Sequence, residues 1–452
     1  MKKINMKVKI AFICLLSTLF LVACGSNDDG PVVVEFWTHY QHDLDFFIRK
    51  VEEYNEMNEG RVQINLTNIS NDVWEQNLTL AFQNNQAPDI FADGLPVADF
   101  VQMGWLAPLN DLFSPEGWAR ISQYQIPGAN TFAGNQYSAP FAGFNFRMVY
   151  NKELFRGAGL DPDNPPQSYA EVIEAARLIT EYGSTLSTPA FGFMLPVGES
   201  WIWWQYGNQM ANANGTPIFD YINVRFNFEA IQPVLEFYRQ MYVDGSLFPG
   251  GLQMNNDPAR AQFSAGNVGM MLAASWDVGV FNDQFPAVME WGVAPLPTIE
   301  GVHRGRPEIA ASTYLFINSA SEVQREAAEF FEWILSPQFL AEYFMEGFGV
   351  PVYPDMWQYV TSEPDRPGLA AFADTSGDSP HLPEPSGFDL EGPTRDIIFS
   401  EIVAGNITDI SAALSDLSAR HNHAMQIAID DGRIDPSYHH VPNFTPMNPL
   451  GQ

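Results

Sequence analysis

Over the first hundred residues after position 30, short apolar runs alternate with longer amphipathic ones. Residues 32–36, VVVEF, are rich in β-branched side chains, as a buried strand requires. In HDLDFFIRKVEEYNEMN, residues Leu44, Phe47, Ile48, Val51, Tyr54 and Met57 recur at helical spacing and predict an amphipathic helix. RVQINLTNI, 61–69, alternates as a strand does. NDVWEQNLTLAFQNN reads as a second helix, and PDIFADG, 88–94, as a third strand ending in a turn. Strand, helix, strand, helix and strand with short links form a βαβαβ unit, which predicts a parallel sheet with right-handed crossovers.

Farther along, Ser168 with Glu171 predicts a capping box opening SYAEVIEAARLIT, and Ser321 with Gln324 predicts one opening SEVQREAAEFFEWIL. Strand-like runs occur at GVAPLP, 292–297, and TYLFIN, 313–318. From about 354 to 393 the proline and glycine density of SEPDRPG, DTSGDSPHLPEP and EGPT argues for a surface excursion or a crossing between domains. A final helical block is expected over about 394–430.

The N-terminus changes the picture of where the chain works. Lys2, Lys3, Lys7 and Lys9 precede an apolar run from Ile10 to Ala23, shorter than the roughly 20 residues of a membrane span. This pattern predicts a secretory signal peptide over 1–23. LVAC, Leu21 to Cys24, resembles the lipobox of bacterial lipoproteins, which implies acylation of Cys24 as the first mature residue. Residues 24–31 then form a lipidated, flexible tether, and the membrane is engaged through a lipid anchor only. With Cys14 removed, Cys24 has no internal disulfide partner.

Against 54 acidic residues stand 22 basic ones, a net charge of −32. Such a surface repels nucleic acid, which is excluded as a partner. Beyond the signal the lysines are Lys50 and Lys152, and the other cations are arginines. Arginine stays charged above the titration range of lysine. That fits alkaline surroundings, or simply the composition of the clade.

Residues 134–180 carry Gly134, Tyr137, Pro140, Tyr150, Asn151, Lys152, Ala158, Gly159 and Leu160 in an order that resembles the middle of extracellular solute-binding proteins of ABC sugar importers, the maltose-binding-protein-like family. PDIFADG followed by MGWLAPL, FSAGNVGMMLAASWDV at 263–278, GVAPLPT, and GFGVPVYPDMW at 347–357 are similar to it too. Around 309–314 the chain reads IAASTY where the family usually has a Gly-Gly pair. The resemblance implies an α/β fold of two periplasmic-binding-protein-like lobes (class II). Each would be a mainly parallel sheet flanked by helices, joined by two or three hinges. Lobe 1 would be 31–138 plus 312–356, lobe 2 139–311 plus 357–440, with a C-terminal tail at 441–452. Hinges fall near 138–144, 308–314 and within 357–393. The implied function is capture of a carbohydrate, an oligosaccharide by expectation, for delivery to ABC transporter permease subunits. The protein would be a monomer without cofactor or metal, anchored on the extracellular or periplasmic side of the membrane.

A sugar site needs aromatic platforms for C–H faces and polar groups for hydroxyls. Ligands of open parallel sheets sit beyond the carboxyl ends of strands. That rule selects Trp37, His39 and Tyr40 after the first strand, and Asp93 after the third. In ESWIWWQYGNQM, Trp201, Trp203 and Trp204 fall within four residues, so at least one should meet the cleft or solvent; Trp203 and Trp204 are the candidates. Trp276 matches the position at which the family often supplies a stacking aromatic, and Asp277 and Phe388 complete the set. No Gly-x-Ser-x-Gly elbow, phosphate loop or His-Glu-x-x-His motif points to an enzyme. A surface polysaccharide-binding lipoprotein, a glycoside hydrolase using two of the many acids, or a binding protein for a non-sugar solute are the alternatives.

Overall fold

The structure is a computed structural model that describes residues 30–451 except 42, 71–72, 94–96, 200, 311–313 and 367. The expected signal peptide, Cys24 and the expected tether before Gly30 lie outside the described residues. The βαβαβ unit forms as β1 (Val32–Thr38), α1 (Leu44–Met57), β2 (Val62–Asn68), α2 (Trp74–Gln83) and β3 (Ile90–Ala92). β1 lies between β2 and β3 and is parallel to both. Phe46, Phe47, Val51 and Tyr54 form the buried face of α1, so its apolar stripe points at the sheet.

A second sheet follows, of β4 (Phe146–Asn151), β5 (Phe191–Met194), β6 (Val268–Ala274) and β7 (Trp291–Ala294), in the order β7–β4–β6–β5. β4 runs against β6 and β7, and β5 runs with β6. β8 (Leu315–Ile317) returns to the first sheet, antiparallel to β3. In each sheet, therefore, three of the four strands share one direction and one is reversed.

Every residue of β6 is buried. Met271 and Ala273 join the apolar core of the first sheet, whereas Met270 and Leu272 join a second core with Phe146 and Met148. A strand covered on both faces has to be apolar throughout. Each fully buried side chain of this size contributes about 1.5–3 kcal/mol.

The segments that carry the chain between the sheets lie side by side. Ala142–Gly143 pairs antiparallel with Val350–Pro351, and Phe144 bridges Ala310. Glu308–Ile309 pairs with Ser379–Pro380. Among the described residues between 354 and 393 the chain makes two short 3-10 turns and that one two-residue strand. The final block divides into two helices, Arg395–Val403 and Ile410–Asp430. Gly405, at φ +82°, takes the left-handed conformation that ends the first of them. The C-terminal tail folds back: Val441 N–H donates to Tyr221 O at 2.9 Å, and Arg306 N–H to Pro446 O at 3.0 Å.

The helix α3 (Tyr169–Gly183) carries both halves of its capping box. The second expected box does not form. Ser321 Oγ instead donates to Asp89 Oδ1 at 2.6 Å, and Gln324 Nε2 donates to Ser319 O at 2.7 Å. Asp89 also accepts the N–H of Glu35 in β1, so a tertiary acceptor outcompetes the local cap. Among the described residues no helix is long and apolar enough to cross a membrane.

Candidate functional site

Because β1 lies beside β3, the residues leaving their carboxyl ends meet. His39 Nε2 lies 2.9 Å from Asp93 O, and Trp74 Nε1–H donates to the same oxygen at 3.0 Å. The Tyr40 hydroxyl donates to the Asp93 carboxylate. The His39 ring sits 4.3 Å from Tyr40 and 4.9 Å from Trp74, which is itself wholly buried. Burial, and then the Asp93 charge, push the Tyr40 pKa well above its usual value, so it stays a phenol. His39, Tyr40 and Asp93 are thus held as one unit at the rim of the sheet. Trp37 is not part of that rim. β1 runs two residues farther than its β-branched stretch implies, and Trp37 lies within it, opposite Thr67 and Phe91 and half-buried against the core.

Tyr40 stacks on Tyr314 at 5.9 Å with the rings 10° from parallel, and Tyr314 stacks on Phe141 at 4.2 Å. Three residues along the crossing segment, Phe144 meets Trp276 at 5.2 Å. Three residues of extended chain span about 10 Å. The Tyr40–Asp93 unit and Trp276 therefore flank the crossing from opposite sheets. Trp276 is partly exposed and also contacts Phe146 at 5.9 Å and Trp201 at 6.4 Å.

Asp277 does not face a ligand. It is fully buried; its Oδ2 accepts the Ala274 N–H at 2.8 Å, and its carboxylate pairs with Arg260 of the helix Asn256–Ser264. It closes the turn that leaves β6.

The tryptophan cluster splits three ways. Trp201 is 40% exposed and donates to Glu199 at 2.7 Å. Trp203 is 0% exposed, packed edge-on to Phe399 at 5.4 Å, with its N–H on Ser400; it is core, not a ligand contact. Trp204 is half-buried, 4.8 Å from Phe146, and donates to Glu308 Oε2 at 2.8 Å. A π-helical turn at Trp204–Asn208 widens the helix where these side chains diverge.

Glu308 also accepts from Gln209 Nε2 at 2.8 Å and meets His381 Nδ1 at 3.0 Å. Burial pushes its carboxyl up, but His381 and the two N–H donors outweigh that and leave its pKa lowered. Burial likewise depresses His381, and Glu308 outweighs it, leaving the imidazole's pKa raised.

Phe388 lies elsewhere. It is half-buried in the second core, 5.9 Å from Phe226 and 6.0 Å from His421. His421 gives this cluster a neutral character, since burial lowers its pKa to about 4. Phe388 makes no ring contact with Trp276 or Trp204 among the described residues, so the structure does not join it to them.

Trp201, Phe144, Tyr314, Glu308 and His381 escaped the sequence reading. Trp201 sat in a cluster already marked as aromatic. The other four carry no local pattern, because crossings that are remote in sequence bring them together.

The sequence matches the family described as Bacterial extracellular solute-binding protein over residues 41–339. A binding protein of Brucella abortus is 26% identical over 381 residues, covering 82% of this chain and 88% of that one. The sn-glycerol-3-phosphate-binding periplasmic protein of Rhizobium meliloti is 25% identical over 284 residues, 58% of this chain and 61% of that one. Among solved structures, the cyclic alpha-maltosyl-1,6-maltose binding protein from Arthrobacter globiformis superposes with a TM-score of 0.69 at 22% identity, over 88% of this chain and 100% of that one. The sugar-binding protein MalE from Xanthomonas citri gives 0.68 at 20% identity, over 89% and 100%. These likenesses show the two-lobe periplasmic-binding-protein fold. The family match, which spans well over half of the chain, shows that it belongs to the bacterial extracellular solute-binding proteins, a family of binding proteins rather than enzymes.

Proposed function

We propose that this chain captures a carbohydrate between its lobes and delivers it to the permease of an ABC importer. In this reading the lobes are 31–138 plus 312–356 and 139–311 plus 357–440. The observation that carries it is Trp276, partly exposed just after β6 and packed on Phe144 of the crossing segment whose Phe141 leads through Tyr314 to the Tyr40–Asp93 unit. An aromatic platform opposite a carboxylate and imidazole suits a sugar's apolar face and hydroxyl rim. A phosphate-bearing solute such as sn-glycerol 3-phosphate would need uncommitted cations. Arg147 and Arg395 are instead engaged by Asp378 at 2.9 Å and Glu384 at 3.1 Å.

The test is a thermal-shift screen of the purified protein against mono-, di- and oligosaccharides with sn-glycerol 3-phosphate alongside. A ligand at 100 times its Kd adds about 2.7 kcal/mol of stability. The expected result is a rise in Tm with a carbohydrate and none with glycerol phosphate; the reverse would refute the carbohydrate reading.

The same proposal places the protein on the outer face of the membrane, held by lipid on Cys24. Cys24→Ser should then move it from the membrane fraction to the medium. Retention in the membrane fraction would remove the anchor.

A further inference from the structure

The crossing at Glu308–Ile309 is fastened to the crossing at Ser379–Pro380 by an ion pair. Ser379 N–H donates to Pro307 O at 2.9 Å and His381 N–H to Ile309 O at 3.2 Å, which brings His381 Nδ1 to 3.0 Å from Glu308 Oε2. Glu308 is fixed from its other side. Trp204 and Gln209 each donate to its carboxylate at 2.8 Å, and its own N–H donates to Gln209 Oε1 at 2.8 Å. The far edge of the imidazole is open: the His381 side chain is 31% exposed and lines a cavity of about 510 Å³. Val97 and Val101, on the short helix Val97–Gln102, line the same cavity. In the proposed division that helix belongs to lobe 1, and Glu308 and His381 to lobe 2. One ring nitrogen is therefore committed within the protein, and the other borders the space between the lobes.

The other charges around the ring are already matched. Glu384 favours the imidazolium, but shares its carboxylate with Arg395 at 3.1 Å and Asn208 at 3.3 Å. Arg306, two residues before Glu308, donates to Asp378 O at 3.3 Å, while the Asp378 carboxylate is paired with Arg147. On the remaining wall of the cavity Arg433 donates to Gly387 O at 3.0 Å and pairs with Asp431, Asp435 accepts the Ser437 N–H at 2.9 Å, and Tyr438 packs edge-on to Phe132 at 5.1 Å. His439 shares this wall, but burial pushes its pKa down whereas Glu308 holds that of His381 above the usual 6.5. The two histidines thus titrate in different ranges, and His381 owns the upper one.

We infer that the Glu308–His381 pair is a proton-linked latch on these two crossings, and that closing the lobes on an uncharged ligand expels a proton from His381 to solvent. The inference rests on the carbohydrate reading and adds its regulation by pH. Closure replaces water on the open side of the imidazole with ligand and with Val97 and Val101, and desolvation disfavours the charged form. The proton lost is the one on Nε2; Nδ1–H stays on Glu308. Capture therefore tightens as the pH rises. In the free protein the raised pKa works the other way: the pair's contribution to stability is fully present below about pH 6.5 and is lost as the pH rises through the raised value.

Calorimetric titration of the purified protein with maltose, cellobiose and xylobiose, between about pH 6 and pH 9 and in two buffers of different ionisation enthalpy, tests this. For the sugar that binds, affinity should rise at least about threefold across the range, and the heat should differ between buffers as a proton is released. His381→Gln, whose amide offers Glu308 a donor without a titrating ring, should show neither the rise nor the buffer-dependent heat. Glu308→Gln should move the rise to lower pH, because the imidazolium loses its counter-charge. Should these variants be too unstable to titrate, NMR of the His381 ring in the parent reads the same linkage, with a lower pKa expected when the sugar is bound. Affinity independent of pH, proton uptake in place of release, an unchanged ring pKa, or a His381→Gln profile like the parent's would overturn the latch while the carbohydrate reading stands. Binding of sn-glycerol 3-phosphate and of none of the three sugars would overturn both, since a phosphate would hold the proton on the imidazole rather than expel it.

Discussion

Trp203→Ala is expected to cost about 3–5 kcal/mol of folding stability and to leave ligand affinity unchanged. Its indole is wholly enclosed by the second core, edge-on to Phe399 at 5.4 Å and Tyr238 at 6.3 Å, so removal leaves a cavity that fixed neighbours cannot fill. Trp276→Ala should show the opposite division: a near-normal melt, with binding weakened by about 2 kcal/mol or more. Denaturant melts and calorimetric titration on the two variants together read this out. A stable Trp203→Ala that has lost its ligand would mean that Trp203, not Trp276, is the platform.

Arg260→Met should cost a similar 3–5 kcal/mol, because it leaves the Asp277 carboxylate buried without a counter-charge. The helix Asn256–Ser264 supplies that counter-charge to the turn after β6. Adding Asp277→Asn to Arg260→Met removes the stranded charge, while the amide oxygen still accepts the Ala274 N–H. The double variant should therefore recover most of the loss, seen as a urea midpoint close to that of the parent. Equal instability of single and double variants would show that shape, not charge, sets the cost.

The βαβαβ unit was legible because periodicity is a local property. The apolar positions of Leu44–Met57 and the β-branched run at 32–36 declare helix and strand without reference to anything distant. The Ser168 cap was legible for the same reason, since donor and acceptor lie three residues apart. Ser321 has the same spacing and failed, because Asp89, brought close by the first sheet, offers its hydroxyl a charged acceptor. At Trp37 the misreading was one of length: the strand extends to Thr38, so Trp37 lies on the sheet face rather than at its rim.

From the sequence alone come the alternation of strands and helices, the acidic, lysine-poor composition, and the positions where a chain must leave its sheet. Three residues selected by that last rule, His39, Tyr40 and Asp93, do meet in one network, because parallel neighbours carry their exits to the same edge. Only the tertiary structure decided which aromatic and acidic side chains remain open to a ligand. Trp201, Trp203 and Trp204 are equivalent as letters, yet one is exposed, one is core and one is tied to Glu308. Asp277 went to a buried ion pair, and Phe388 lies half-buried beside Phe226 and His421, away from the tryptophans. Exposure is a property of what packs on top of a residue, and for each of these the covering group comes from a distant part of the chain.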